Sequence, residues 1–231
     1  ARRRTPKQQA ATSVTRFGQR FVHDLIGPTA PDHRGNIYLS VIRDEATNFA
    51  DVRPIPSKSP IHTKAHLQSF CSGDIFPTEM RTDGGGEFQA EYAALLLDKG
   101  TLRIIGLPLR STSGSTMERF HGTLNGGIRS SLLAAGLDYA FWGLCSVHLA
   151  TNFRVTHRGD AGQTPTEARV GVAAAQIRRV DPLPTECVPF GCKCLVHVHE
   201  DDRLKFEPTA QVGVIVGYAT HGGYVYLPLS V

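Results

Sequence analysis

At 231 residues the chain can bury a sizeable core, and 41% hydrophobic against 20% charged residues excludes a disordered or fibrous polymer. Its 25 basic and 21 acidic side chains leave a net charge of +4, but residues 1–20 hold six bases and no acid, so the remainder carries 19 − 21 = −2. No apolar run reaches the ~18 residues of a membrane span, and no signal-like apolar stretch follows the arginine-rich start, so a soluble protein with no membrane partner is expected. The five cysteines are odd in number and unevenly spaced, which predicts free thiols in a reducing compartment. A start on Ala1 and an end on YVYLPLSV lead us to expect a segment of a longer polypeptide.

Residues 1–17 lack apolar periodicity and read as a basic linker arm. Stretches 20–26, 37–43 and 48–53 alternate as short strands separated by turn residues, which predicts an antiparallel meander. Residues 59–71 turn helical, with Pro60 at an allowed first-turn position behind Ser59. Strand 78–82, helix 87–99 and strand 102–105 follow, so a mixed sheet with helices on its faces is expected. After the turn-rich PLRSTSGST, Met117, Phe120, Leu124, Ile128 and Leu132 form one helical stripe, and residues 139–155 form a second, more apolar helix. A short helix is predicted near 165–170, within a stretch leading to a connector, and residues 187–231 read as a small β-rich module.

Three acids stand out. Asp24 lies inside the apolar run FVHDLIG, where an ionised carboxylate needs a partner or a cation. Asp83 follows a strand and precedes three glycines, and Glu118 opens the striped helix, 35 residues later. Each has an ordinary alternative: an arginine partner for Asp24, a turn for Asp83-Gly84, and a capping box for Ser115-x-x-Glu118. Their joint order, a first strand, a later strand end and a helix start, suits convergence at one sheet edge.

With HDLIGP (23–28), RTDGGGEF (81–88) and MERFHGTL (117–124), the chain resembles the catalytic core of retroelement integrases, most closely the copia-type retrotransposon branch. Further likeness comes from QTPTEARVG (163–171), FGC (190–192) and VGVIVGY (212–218). The resemblance implies an α/β, ribonuclease H-like fold: a mixed five-stranded sheet flanked by helices, with a small C-terminal β module. Its boundaries would be an arm at 1–17, a core at 18–171, a connector at 172–186 and the module at 187–231.

That family's activity is metal-dependent DNA strand transfer, in which a cDNA 3′-hydroxyl attacks a target phosphodiester. By resemblance, Asp24, Asp83 and Glu118 would be catalytic and hold two Mg²⁺ or Mn²⁺ ions, Asp24 bridging them. Arg119, His121, Asn125 and Arg129 beside the stripe, and Arg2, Arg3, Arg4 and Lys7 in the arm, would meet nucleic acid. The implied partners are element cDNA ends, target DNA and further copies of the chain; the implied locations are the nucleus and a cytoplasmic virus-like particle.

Departures from the family pattern include Gly84 where Asn is usual, Ser111–Ser115 in place of Pro-Gln-Gln-Asn-Gly, and helix glycines at 122, 126 and 127. They keep open a catalytically inactive, DNA-binding remnant. A ribonuclease H-like nuclease of another family would need a different arrangement of acids, usually with a fourth carboxylate. Cys187, Cys192, Cys194, His197 and His199 superficially suggest zinc, but their spacing fits ordinary strand alternation better.

Overall fold

The computed structural model describes residues 14–71, 75–106, 112–159, 161–171, 186–219 and 222–229, with the side chains of 112–115 excepted. Most of the arm and nearly all of the 172–186 connector therefore lie outside the described residues.

The meander forms as β1 (Arg20–Ile26), β2 (Tyr38–Asp44) and β3 (Ala50–Ile55). Then come α1 (Pro60–Cys71), β4 (Glu79–Thr82), α2 (Ala90–Asp98) and β5 (Leu102–Ile105), followed by α3 (Thr112–Ala135), α4 (Trp142–Thr156) and α5 (Pro165–Val170). A second sheet holds β6 (Lys193–His197), β7 (Ala210–Tyr218) and β8 (Tyr224–Pro228).

The main sheet has the order β3-β2-β1-β4-β5. β2 pairs antiparallel with β1 and β3, whereas β4 runs parallel to both β1 and β5. This is the mixed five-stranded sheet that the strand and helix order predicts.

Strand alternation sends successive side chains to opposite layers. Leu39 and Val41 of β2 join Phe120, Leu124, Ile128 and Leu132 of α3 and Trp142 of α4. Ile42 joins Leu67 and Phe70 of α1, Tyr92 and Leu96 of α2, and Phe88 between the helices. β2 is thus buried on both faces, as the centre of a three-layer core must be. The smaller sheet packs through β7, whose Val214 and Val216 share the α3–α4 core with Phe190.

Three helix starts differ from the sequence expectation. The helix predicted over 87–99 is a 3₁₀ turn, Gly86–Phe88, followed by α2. The break falls at Gln89, which is extended (φ −98°, ψ −170°) between the 3₁₀ turn and α2. The segment predicted over 139–155 likewise opens with a 3₁₀ turn, Tyr139–Phe141, before α4. Most consequentially, α3 begins at Thr112 instead of after the serine-rich stretch, so Ser115 lies inside the helix and cannot cap Glu118. The capping box is found instead on α5, where the Glu167 N–H donates to Thr164 Oγ1 at 3.2 Å and the Thr164 N–H to Glu167 Oε2 at 2.8 Å.

Candidate active site

β1 presents His23 and Asp24 to opposite layers. His23 enters the α1–α2 side with 0% exposure, while Asp24 faces α3 and keeps 41% of its side-chain surface. The Leu25 N–H donates to Asp24 Oδ1 at 2.8 Å.

Parallel pairing brings the second acid alongside. The ladder ends with Val22 opposite Arg81, and Asp83 follows just past the end of β4, near enough for its charge to act on Asp24. Asp83 is exposed, and its Oδ1 accepts the Gly85 N–H at 3.0 Å. Burial raises the Asp24 pKa; the neighbouring charges of Asp83 and Glu87 add to that rise, against His121 and the Leu25 N–H.

Glu118 lies in the second turn of α3 with its side chain exposed. One turn on, His121 Nδ1 stands 3.9 Å from Asp24 Oδ2, and its imidazole feels both Asp24 and Glu118. Burial dominates there and lowers its pKa. Its Nε2 is buried without a hydrogen-bond partner. His121 is therefore turned toward the acids, not out to solvent. Arg119 and Arg129 are exposed on the same helix and Asn125 is half-buried, while Arg2, Arg3, Arg4 and Lys7 lie outside the described residues.

Oxygen donors of this kind fit Mg²⁺ or Mn²⁺. Among the described residues, however, no three His, Cys, Asp or Glu side chains are gathered closely enough to hold an ion. Asp83 acts on Asp24 through its charge, and His121, 3.9 Å from Asp24, feels Glu118 as well.

Behind Asp24 runs a buried polar chain that sequence reading missed. His23 contacts Tyr92 Oη at 2.8 Å and Ser40 Oγ at 2.7 Å; Ser40 contacts His66 at 2.7 Å; His66 reaches Asp51 at 3.3 Å, which also pairs with Arg154 at 3.1 Å. Ser40, His66 and Asp51 are types found in hydrolase triads, but Ser40 and His66 have 0% exposure and no substrate reaches them. Their role is to tie β1, β2, β3 and α1 together beneath the acids. Arg43 on β2 does the same for α3, donating to the Thr116 carbonyl at 3.1 Å and lying 5.4 Å over the Phe120 ring.

Glu87 beside the glycines was not singled out by sequence. It is a buried acid ion-paired to Lys58 at 3.6 Å. The available signal was an acid directly after three glycines, which let a chain fold back on itself.

No protein-family model matches the chain, and no curated protein matches it. Solved structures do match. The HTLV-2 integrase catalytic core domain in complex with magnesium, in its trimeric form, aligns with a TM-score of 0.53 at 13% identity, covering 66% of this chain and 96% of that one. Its dimeric form gives 0.52 at 14%, covering 66% and 95%. The BIV integrase catalytic core domain gives 0.54 at 14%, covering 67% and 95%. At such identities the likeness is one of architecture: the chain adopts the ribonuclease H-like fold of retroviral integrase catalytic cores, with an added three-stranded C-terminal sheet.

Proposed function

We propose that the chain is the catalytic core of a retroelement integrase of the copia-type branch, performing metal-dependent DNA strand transfer. The observation that supports this reading is the approach of Asp24 on β1 and Asp83 just past the end of the parallel strand β4, on a fold shared with integrase cores, with His121 of α3 feeling both Asp24 and Glu118. Asp24, Asp83 and Glu118 are the proposed ligands and catalytic residues. The chemistry a pair of Mg²⁺ or Mn²⁺ ions supplies in such a site is activation of the attacking hydroxyl and stabilisation of the leaving oxygen. The chain's own contribution is to hold the carboxylates at the ends of rigid strands and to offer Arg119 and Arg129 to phosphate along α3. Element cDNA ends and target DNA are the proposed substrates, and a multimer the proposed working form.

The test is an oligonucleotide strand-transfer or disintegration assay with Mg²⁺ or Mn²⁺. Product is expected from the wild type, with a loss of about 10²-fold or more on Asp24→Asn, Asp83→Asn or Glu118→Gln, in the range of removing one strongly stabilising charge contact. A second reading, an inactive DNA-binding remnant, rests on the departures at Gly84, Ser111–Ser115, Gly122, Gly126 and Gly127. It predicts DNA binding with no metal-dependent product from the wild type.

A further inference from the structure

Three consecutive glycines, Gly84, Gly85 and Gly86, follow Asp83, and residues without a β-carbon leave a turn free to take many backbone paths. A carboxylate that does chemistry must nonetheless leave the sheet in one direction. Arg103, half-buried on the edge strand β5 beside β4, supplies the constraint that the glycines lack. Its Nε donates to Thr82 Oγ1 at 3.1 Å, its Nη2 to the Asp83 carbonyl at 3.4 Å and its Nη1 to Gln89 Oε1 at 3.3 Å. Thr82 and Asp83 enter the turn and Gln89 leaves it, so one planar guanidinium spans both ends. The Thr82 hydroxyl donates to the same Asp83 carbonyl at 2.9 Å and closes the link.

The ordinary uses of a strand arginine do not account for this arrangement. Among the described residues Arg103 forms no ion pair, and its donors go to neutral oxygens instead. The pairing of β4 with β5 runs through backbone groups from Glu79–Leu102 to Thr82–Ile105 and needs no side chain.

We propose that Arg103 is a positioning residue for Asp83: by clamping the two ends of the glycine turn it fixes the peptide that carries the Asp83 carboxylate. The inference rests on the reading of Asp83 as a catalytic carboxylate. Arg103 acts through Thr82, Gln89 and the Asp83 backbone, not on a reacting atom. The orientation it protects has a reporter in the Gly85 N–H, which donates to Asp83 Oδ1 at 3.0 Å.

Two readouts on the whole chain test this. One is single-turnover strand transfer with Mn²⁺, giving the rate at saturating DNA and the DNA concentration of half-maximal rate; the other is amide hydrogen exchange at Gly85 by NMR. Arg103→Met is expected to lower the saturated rate about 10- to 100-fold, the range for groups that orient a reactive ligand, with the half-maximal concentration unchanged. It is also expected to speed Gly85 exchange about tenfold while amides in the helices keep their wild-type rates. Arg103→Lys keeps the charge but not the planar fork, so it should recover only part of the rate. A raised half-maximal concentration with the saturated rate kept would make Arg103 a phosphate contact and overturn the proposal; faster exchange throughout the chain would reduce it to a structural brace and overturn it too. If Asp83→Asn abolishes product while Arg103→Met changes neither rate nor Gly85 exchange, the positioning assignment falls and the strand-transfer reading stands. A wild type that makes no product, or is indifferent to Asp83→Asn, overturns both. If Arg103→Met does not fold, Gln89→Met decides alone: Gln89 is exposed and its side chain does not cap α2, and an unchanged rate and Gly85 exchange overturn the proposal.

Discussion

His23, His66 and His148 are held neutral by burial, each with a pKa below the ordinary 6.5, and His23 far below it. At His66, the hydrogen bond and charge of Asp51 pull the other way without overcoming burial. At His148, stacking on Tyr218 at 4.6 Å and a 2.8 Å contact to the Val188 carbonyl leave Nδ1 buried and unpartnered. The folded chain excludes protons that the unfolded chain binds, so this stability is complete above pH 6.5 and is lost as pH falls below it. Each excluded proton steepens the loss by up to about 1.4 kcal/mol per pH unit. Asp24 and Asp44, whose pKa values burial raises, oppose this only at lower pH, above the ordinary carboxylate value of 3.8. Urea unfolding at pH 7.5, 6.5 and 5.5 is expected to show a falling free energy across that window. A flat profile would mean that the histidines are not held neutral.

On α3, the glycines at 122, 126 and 127 admit two explanations, close approach of another group or simple weakening of the helix. A β-carbon at Gly122 or Gly126 meets nothing within 4 Å, whereas at Gly127 it comes 3.2 Å from Leu149 Cδ1. Gly122→Ala and Gly126→Ala should therefore each stabilise the chain by about 1 kcal/mol, the helix-propensity difference, and Gly127→Ala by less. Thermal melts of the three variants check the ranking, and a destabilised Gly126→Ala would point to a contact that the isolated chain lacks. Periodic features of this helix were legible: Met117, Phe120, Leu124, Ile128 and Leu132 all bury on its inner stripe. Its start was not, because Ser, Thr and Gly between 111 and 116 have weak intrinsic preference and read as a turn. The same limit applies to the site. Asp24, Asp83 and Glu118 were singled out by their flanks and order, but Ser40, Asp51 and His66 are brought together only by strand pairing and helix packing. Glu87 was read as helix because nothing local announces that its side chain folds back over Gly85.

Across the whole molecule, charge is divided by position. Two of the proposed cation ligands, Asp24 and Asp83, sit near the C-terminal ends of β1 and β4, in a body with slightly more acid than base, while the unbalanced positive charge enters ahead of β1. From Arg20 to Asp24 is four strand steps, about 13 Å at the usual rise. Residues 1–13, if extended, reach up to about 45 Å. The arm is thus long enough to meet phosphates on DNA held at the acids, and it carries Arg2, Arg3, Arg4 and Lys7. Such contacts release counterions, so each one lost should lower the slope of log affinity against log salt by about 0.9. Deleting residues 1–13 is expected to weaken duplex binding and flatten that slope by up to about 3.6, with little change in melting temperature, because their sequence lacks apolar periodicity. Fluorescence anisotropy on a labelled duplex across a salt series, paired with a melt of the same protein, separates the two effects. An unchanged slope would place the phosphate contacts on the body, with α3 and its exposed Arg119 and Arg129 the first residues to substitute.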